Sequence, residues 1–281
     1  MALPNFLIIG AQKSGTTWLA RRLGQHPDVW IAPAEIHFFD KDFNFVKGIG
    51  WYEAQFTGVG DETAVGEKTP DYLWANGTGV EGHLPDVHRN IHQAMPNAKL
   101  IVSLRNPVER AISAVNHIIR SGRISSPPVI DELLVGDQQH LIQGHGVIDY
   151  GRYHRQLQAY LQHFDPGQML VLIFEEDIVE NPTEGLTKAC SFLGVDESFE
   201  FSALAERSNA YQHSKLRLTV DHCLPFLSTF TPFLDRFLPM HKVRPSEAVM
   251  RKLYETYETE NDKLFDLLAR PIPPSWQYAE S

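Results

Sequence analysis

The chain has 281 residues, 43% of them hydrophobic, a formal net charge of -10 and a pI near 5.7. That length suits one domain spanning 1–281, and the acidic balance argues against general binding of nucleic acid or other polyanions. Two cysteines, Cys190 and Cys223, imply no disulfide framework and point to a reducing, cytoplasmic compartment, and no apolar run is long enough to span a bilayer.

Phe6-Leu7-Ile8-Ile9 is a short apolar run that reads as a buried parallel strand and breaks at Gly10. It lacks a basic start and runs into a small-residue loop, so it is not expected to be a signal peptide. Gly15 follows, and Thr16 to Leu23 opens a helical pattern. Strand, loop and helix in this order aim backbone N–H groups and a helix dipole at an anion. Lys13 adds a point charge, and Ser14, Thr16 and Thr17 add hydroxyls. Gly10 and Gly15 have the glycine spacing of the nucleotide-binding loop, but Thr16 stands where that loop carries its lysine. The loop is therefore a phosphate site and a poor match to an ATP or GTP hydrolase.

Val29-Trp30-Ile31 reads as a strand. Glu35-Ile36-His37-Phe38-Phe39-Asp40 then gathers two carboxylates, an imidazole and two aromatic rings. It suits either an aromatic-lined small-molecule pocket or a surface loop pinned by its phenylalanines. Gly50 to Phe56 suggests a short helix, and Ala64 to Tyr72 a strand that breaks at Pro70, with Lys68 at its end. Asn76 to Asp86 is a loop, and Val87 to Met95 a helix. Lys99 to Leu104 is a buried strand that ends in Arg105-Asn106-Pro107, and Val108 to Arg120 is a helix. Ligands of open parallel sheets bind beyond the carboxyl ends of such strands. A nucleotide hydrolase places a metal-binding aspartate there, whereas Arg105 binds anions, and with Ser113 it could grip one phosphate from two sides.

After a break at Ser125 to Pro128, Val129 to Leu141 and Asp149 to Phe164 read as helices, separated by the loop Gly144-His145-Gly146. Gln168 to Phe174 is another buried strand, ending at Glu175-Glu176-Asp177, and Pro182 to Leu193 is a helix. Phe199 to Arg244 carries no clear pattern, and Ser246 caps a last helix reaching Leu268. The elements make an α/β fold, a central parallel sheet flanked by helices.

Lys13-Ser14-Gly15-Thr16-Thr17-Trp18 resembles the 5′-phosphosulfate loop of sulfotransferases that use 3′-phosphoadenosine 5′-phosphosulfate (PAPS). Leu104-Arg105-Asn106-Pro107 with Arg110 and Ser113 is similar to their 3′-phosphate segment. The Glu35 to Asp40 segment, Lys68-Thr69-Pro70, Gly151, Tyr153 and the strand ending at Glu175 resemble the heparan-sulfate-type branch. The resemblance runs from about Phe6 to Leu193. It implies a metal-independent enzyme that moves a sulfonate from PAPS to a hydroxyl and releases adenosine 3′,5′-bisphosphate. Lys13 would neutralise the leaving oxygen, and the loop with Thr16 and Thr17 would hold the 5′-phosphate. Arg105 and Ser113 would hold the 3′-phosphate, and Lys68 would sit near the transferring group. Trp18 would stack on adenine, or else fill the core behind the first helix. Glu35 is the general base by resemblance, while the ordinary pKa of His37 suits that role better.

The late Gly- and Lys-rich loop of the family has no clear copy, and His213 to Arg217, with Lys215 and Arg217, is the candidate. The family's secretory disulfide is missing too, and the charge of -10 argues against a heparan chain as acceptor. A small hydroxylated acceptor fits better. A kinase-like phosphotransferase and a non-catalytic nucleotide-binding module are the alternatives, and no His/Cys cluster has metal-ligand spacing in the sequence.

Overall fold

The structure is a computed structural model and describes residues 3–75, 77, 82–121, 123–124, 129–206 and 243–279. Strand β1 (Phe6–Gly10) lies at the middle of a five-stranded sheet of order β2-β3-β1-β4-β5, with β2 at Val29–Ile31, β3 at Ala64–Lys68, β4 at Lys99–Leu104 and β5 at Met169–Ile173. Every pairing is parallel. A parallel sheet covered on both faces needs apolar residues at successive positions, and β1 is buried throughout. Phe6 and Ile8 enter one core with Ile101 and Leu172, while Leu7 and Ile9 enter another with Leu100, Val102 and Ile173.

Helix α1 (Thr16–Leu23) packs on the first of these cores through Trp18, Leu19 and Leu23. The short helices α2 (Asp42–Phe45) and α3 (Ile49–Glu53) and helix α4 (Val87–Ala94) follow. Helix α5 (Pro107–Arg120) begins with proline at its first position, where no N–H is needed. The Asn106 side chain caps it by accepting from Val108 N and Glu109 N at 2.9 and 3.3 Å.

The span 129–141 is broken rather than continuous, into α6 (Ile130–Val135), a 3₁₀ turn at Asp137–Gln139 and α7 (His140–Gln143). Gly136 between them is extended, with φ -108° and ψ -162°. The next expected helix likewise opens with a 3₁₀ turn at Asp149–Gly151 and becomes α8 (Tyr153–Leu161) only after Arg152 leaves helical geometry at ψ 64°. The acidic end of β5 winds into a π-helical turn at Phe174–Glu180 ahead of α9 (Pro182–Leu193). The last helix, α10, runs Glu247–Leu267. Ser246 sits at its N-cap without a side-chain cap bond, and its N–H instead donates to Asp131 at 2.9 Å.

The connection after β1 leads to one side of the sheet and that after β4 to the other. Their carboxyl ends therefore flank the point where the order reverses, the place where open α/β sheets bind ligands. Among the described residues, no helix is long and apolar enough to cross a membrane.

Candidate functional site

The loop after β1 carries two residues in left-handed conformation, Lys13 at φ 71° and Gly15 at φ 79°. Gly15 suits that backbone without strain. It also leaves room for Phe174, whose ring would lie 2.8 Å from a Cβ at this position. Helix α1 then starts with no side-chain cap and no acidic residue in its first turn. The first-turn N–H groups have no intrahelical partner, so an anion can take their place. Ser14 is fully buried and its hydroxyl lacks a hydrogen-bond partner, so it is an orphaned donor or acceptor inside the loop rather than an exposed one. Thr16 is also buried. These features fit the phosphate end of a nucleotide. Trp18 is 5% exposed and sits in one cluster with Leu19, Leu23 and Phe6.

Arg105, directly after β4, turns back onto this loop and donates to the Lys13 carbonyl at 3.1 Å. Its guanidinium lies 5.1 Å from the Phe174 ring centroid and 3.8 Å from Glu109. Burial lowers its pKa, and Glu109 and Glu175 work against that shift. Ser113 is half-buried on α5, at the end of its second turn. Lys215, Arg217 and Cys223 lie outside the described residues. Cys190 is a buried free thiol.

The carboxyl end of β3 meets the segment after β2. The Lys68 ammonium donates to Glu35 Oε1 and to Thr17 Oγ1, the latter at 3.4 Å. Glu35 Oε2 lies 3.3 Å from His37 Nε2. On its other side, His37 Nδ1 lies 3.0 Å from Asp40 Oδ2. Asp40 is fully buried and also meets Lys41 at 3.4 Å. Glu35, His37 and Lys68 are therefore brought together as the sequence suggested, and Asp40 extends the chain of charges. Asp40 stood inside the segment without an assigned role, and its sequence signal is the Glu-x-His-x-x-Asp spacing.

A second buried carboxylate holds this segment in place. Glu67 accepts from Tyr52, Tyr72 and Thr69 hydroxyls at 2.7, 2.9 and 2.8 Å. Thr69 Oγ1 in turn accepts from Ile36 N at 3.2 Å, and Tyr72 OH from Phe38 N at 3.0 Å. Burial raises the pKa of Glu67. Phe38 and Phe39, 3% and 0% exposed, pin the segment to the core and do not line a pocket. That settles the choice the sequence left between pocket wall and anchor.

His37, Asp40 and Asp71 place one ligand atom each within 4.8 Å of one another, a grouping the sequence reading did not find. Both ring nitrogens of His37 face carboxylates, Nε2 toward Glu35 and Nδ1 toward Asp40. Burial raises the Asp71 pKa, the Asp40 charge adds to this, and Gln12 of the phosphate loop donates to Asp71 at 3.4 Å.

Burial alone would lift the Glu35 carboxyl, but hydrogen bonds from His37 and Lys68 outweigh it and hold the group at about 2. Burial likewise disfavours a charged His37, yet Asp40 and Glu35 raise it to about 10. The resting site thus holds a carboxylate and an imidazolium. His37 is raised, so its share of stability is complete below its ordinary 6.5 and is lost as pH climbs to about 10. Glu35 is lowered, so its share is complete above its ordinary 4.5 and is lost as pH falls to about 2. Both shares are complete between these ordinary values. In a proton NMR titration the His37 ring should stay protonated through neutral pH. A His37 midpoint near the ordinary value would overturn the arrangement.

A family model described as the sulfotransferase domain matches residues 3–259. Heparan sulfate glucosamine 3-O-sulfotransferase 3A1 of Mus musculus is 34% identical over 206 residues, covering 71% of this chain and 49% of that protein. Heparan sulfate glucosamine 3-O-sulfotransferase 6 of Homo sapiens is 32% identical over 212 residues, covering 71% of this chain and 56% of that protein. The chain thus spans about half the length of the curated relatives it matches. The crystal structure of a sulfotransferase from Alicyclobacillus acidocaldarius superposes with a TM-score of 0.71 at 26% identity, covering 99% of this chain and 100% of that one.

Proposed function

The chain belongs to the sulfotransferase domain family, and from that premise we propose that it is a cytoplasmic enzyme moving a sulfonate from PAPS to an acceptor hydroxyl. The observation that carries this reading is the convergence of Lys68 and Arg105 on the phosphate loop that holds Lys13, with Glu35 bonded to Lys68. PAPS supplies the activated sulfonate and leaves as adenosine 3′,5′-bisphosphate. The loop N–H groups with Ser14, Gly15, Thr16 and Thr17 hold the 5′-phosphate, and Lys13 stabilises charge on the leaving oxygen. Arg105 and Ser113 hold the 3′-phosphate, with Lys215 and Arg217 as the candidate closing segment. Glu35 takes the acceptor proton, His37 orients Glu35, and Lys68 faces the transferring group. No step needs a metal, because lysine and arginine supply the positive charge that Mg²⁺ supplies to a kinase. The buried free thiol of Cys190 agrees with a reducing compartment.

We take the acceptor to be a small hydroxylated molecule. The net charge of -10, with Asp40 and Asp71 gathered at His37, disfavours a polyanion. The relatives' names favour a second reading, a hydroxyl on a heparan-type polysaccharide. Transfer from PAPS should be assayed in EDTA with alcohols, phenols and heparan sulfate, beside a parallel arm with ATP and Mg²⁺. Transfer to an alcohol or phenol in EDTA supports the proposal, and transfer to the polysaccharide alone moves the acceptor to the second reading. Phosphoryl transfer that requires Mg²⁺ would overturn the function.

Arg105→Ala tests the nucleotide assignment. It should weaken adenosine 3′,5′-bisphosphate by about 1.5–3 kcal/mol, roughly 10- to 150-fold, and leave adenosine 5′-monophosphate nearly unchanged by calorimetry. Equal losses for the two would count against a 3′-phosphate role.

A further inference from the structure

Beyond the phosphate loop, the Arg105–Asn106 turn is tied to a distant part of the chain. Glu175, just after β5, accepts from Asn106 N through one oxygen and from the Trp276 indole N–H through the other, each at 3.0 Å. The Asn106 amide donates to the Ser275 carbonyl at 2.7 Å and to Tyr254 OH on α10 at 3.0 Å. The Asn106 carbonyl oxygen is already used to cap α5. Tyr153 OH donates to the Arg105 carbonyl at 2.8 Å, and its ring lies 5.9 Å from that of Trp276. Trp276 is 2% exposed and meets Phe265 edge-on. The backbone on both sides of the Arg105 side chain is therefore fixed from β5, α8, α10 and the segment that follows α10.

We infer that Glu175 and Trp276 form a latch by which the C-terminal segment positions Arg105 for the nucleotide 3′-phosphate. The inference rests on the reading of Arg105 as the 3′-phosphate group. Glu175 and Trp276 are positioning residues and touch no reacting atom. Burial raises the pKa of Glu175 and the two donated hydrogen bonds lower it, as suits a carboxylate enclosed by fixed donors. A packing role alone would change global stability and act on every ligand alike. A latch acts only on ligands that carry a 3′-phosphate.

The test uses the full chain with Trp276→Phe, which keeps a ring against Tyr153 and Phe265 and removes the indole N–H. The dissociation constant for adenosine 3′,5′-bisphosphate should rise roughly five- to tenfold, the worth of one hydrogen bond. That for adenosine 5′-monophosphate should stay within about twofold. KM for PAPS should rise with kcat nearly unchanged. Glu175→Gln, which can accept from only one of the two donors, should produce the same selective loss, and the double variant should lose less than the sum. Parallel losses for both nucleotides, or an undiminished preference for the bisphosphate in Trp276→Phe, would overturn the latch. A wild-type chain with no preference for the bisphosphate would instead overturn the 3′-phosphate reading beneath it. If Glu175→Gln fails to fold, Trp276→Phe decides alone.

Discussion

Glu35→Gln should remove nearly all turnover, by about 10²- to 10⁴-fold, while adenosine 3′,5′-bisphosphate binds as before. The substitution keeps the shape and removes the charge. The acceptor hydroxyl must lose its proton as the new S–O bond forms, and two side chains in this segment could take it. By ordinary pKa histidine is the better base near neutrality. The structure reverses that order, because Asp40 and Glu35 raise His37 to about 10 and leave it no lone pair to offer. Glu35 is the carboxylate, held at about 2 against the effect of burial by His37 and Lys68. So low a value makes a weak base in the resting state. The Lys68 ammonium, however, is shared between Glu35 and Thr17 Oγ1 of the phosphate loop. Under the proposed assignment, charge gathering on the transferring group would draw Lys68 away and remove part of what holds the carboxylate down, the rest being the hydrogen bond from His37. His37→Ala should cost less than Glu35→Gln. The two roles exchange if steady-state kinetics give the larger loss to His37→Ala, with Glu35→Gln mild and nucleotide affinity equal in both.

Lys13→Ala should lower kcat by about 10²- to 10³-fold, the scale for loss of one donor to charge that develops in a transition state. Nucleotide affinity should fall much less. The backbone supports this separation. Lys13 is left-handed at φ 71°, and alanine bears the same strain there. Its carbonyl is held by Arg105 at 3.1 Å whatever the side chain. The loop should therefore keep its form and its N–H groups when the ammonium is removed. Single-turnover kinetics with saturating PAPS, beside a bisphosphate titration, would separate the two effects. Near-normal turnover would sink the assignment.

The strands were the legible part of the fold. β1 and β4 sit inside a parallel sheet, so burial on both faces writes them as apolar runs, whereas β5 is an apolar run at the sheet edge whose first three residues are only half-buried. Helix continuity was less legible. The span 129–141 has helical composition, but the extended geometry of Gly136 ends one helix and starts another. Nothing in the spacing distinguishes that from a glycine a helix tolerates. The phosphate loop could be read because its glycine, lysine and hydroxyls are contiguous. The Lys68 to Glu35 pair could only be listed as two separate candidates, since it joins residues 33 positions apart through the β2–β3 pairing. The Glu67 brace was invisible for the same reason. Glu67 reads as one charge in a strand until Tyr52, Tyr72 and Thr69 close around it. Trp18 was ambiguous because core and stacking tryptophans look alike in sequence.

The bond from Arg105 to the Lys13 carbonyl joins the ends of two neighbouring strands into a single rigid jaw. Under the proposed assignment one side of that jaw meets each phosphate of the nucleotide. On that reading the protein works as a calliper, set to the distance between two anions. A nucleotide with its second phosphate moved to a neighbouring ribose oxygen then fails by misfit of length.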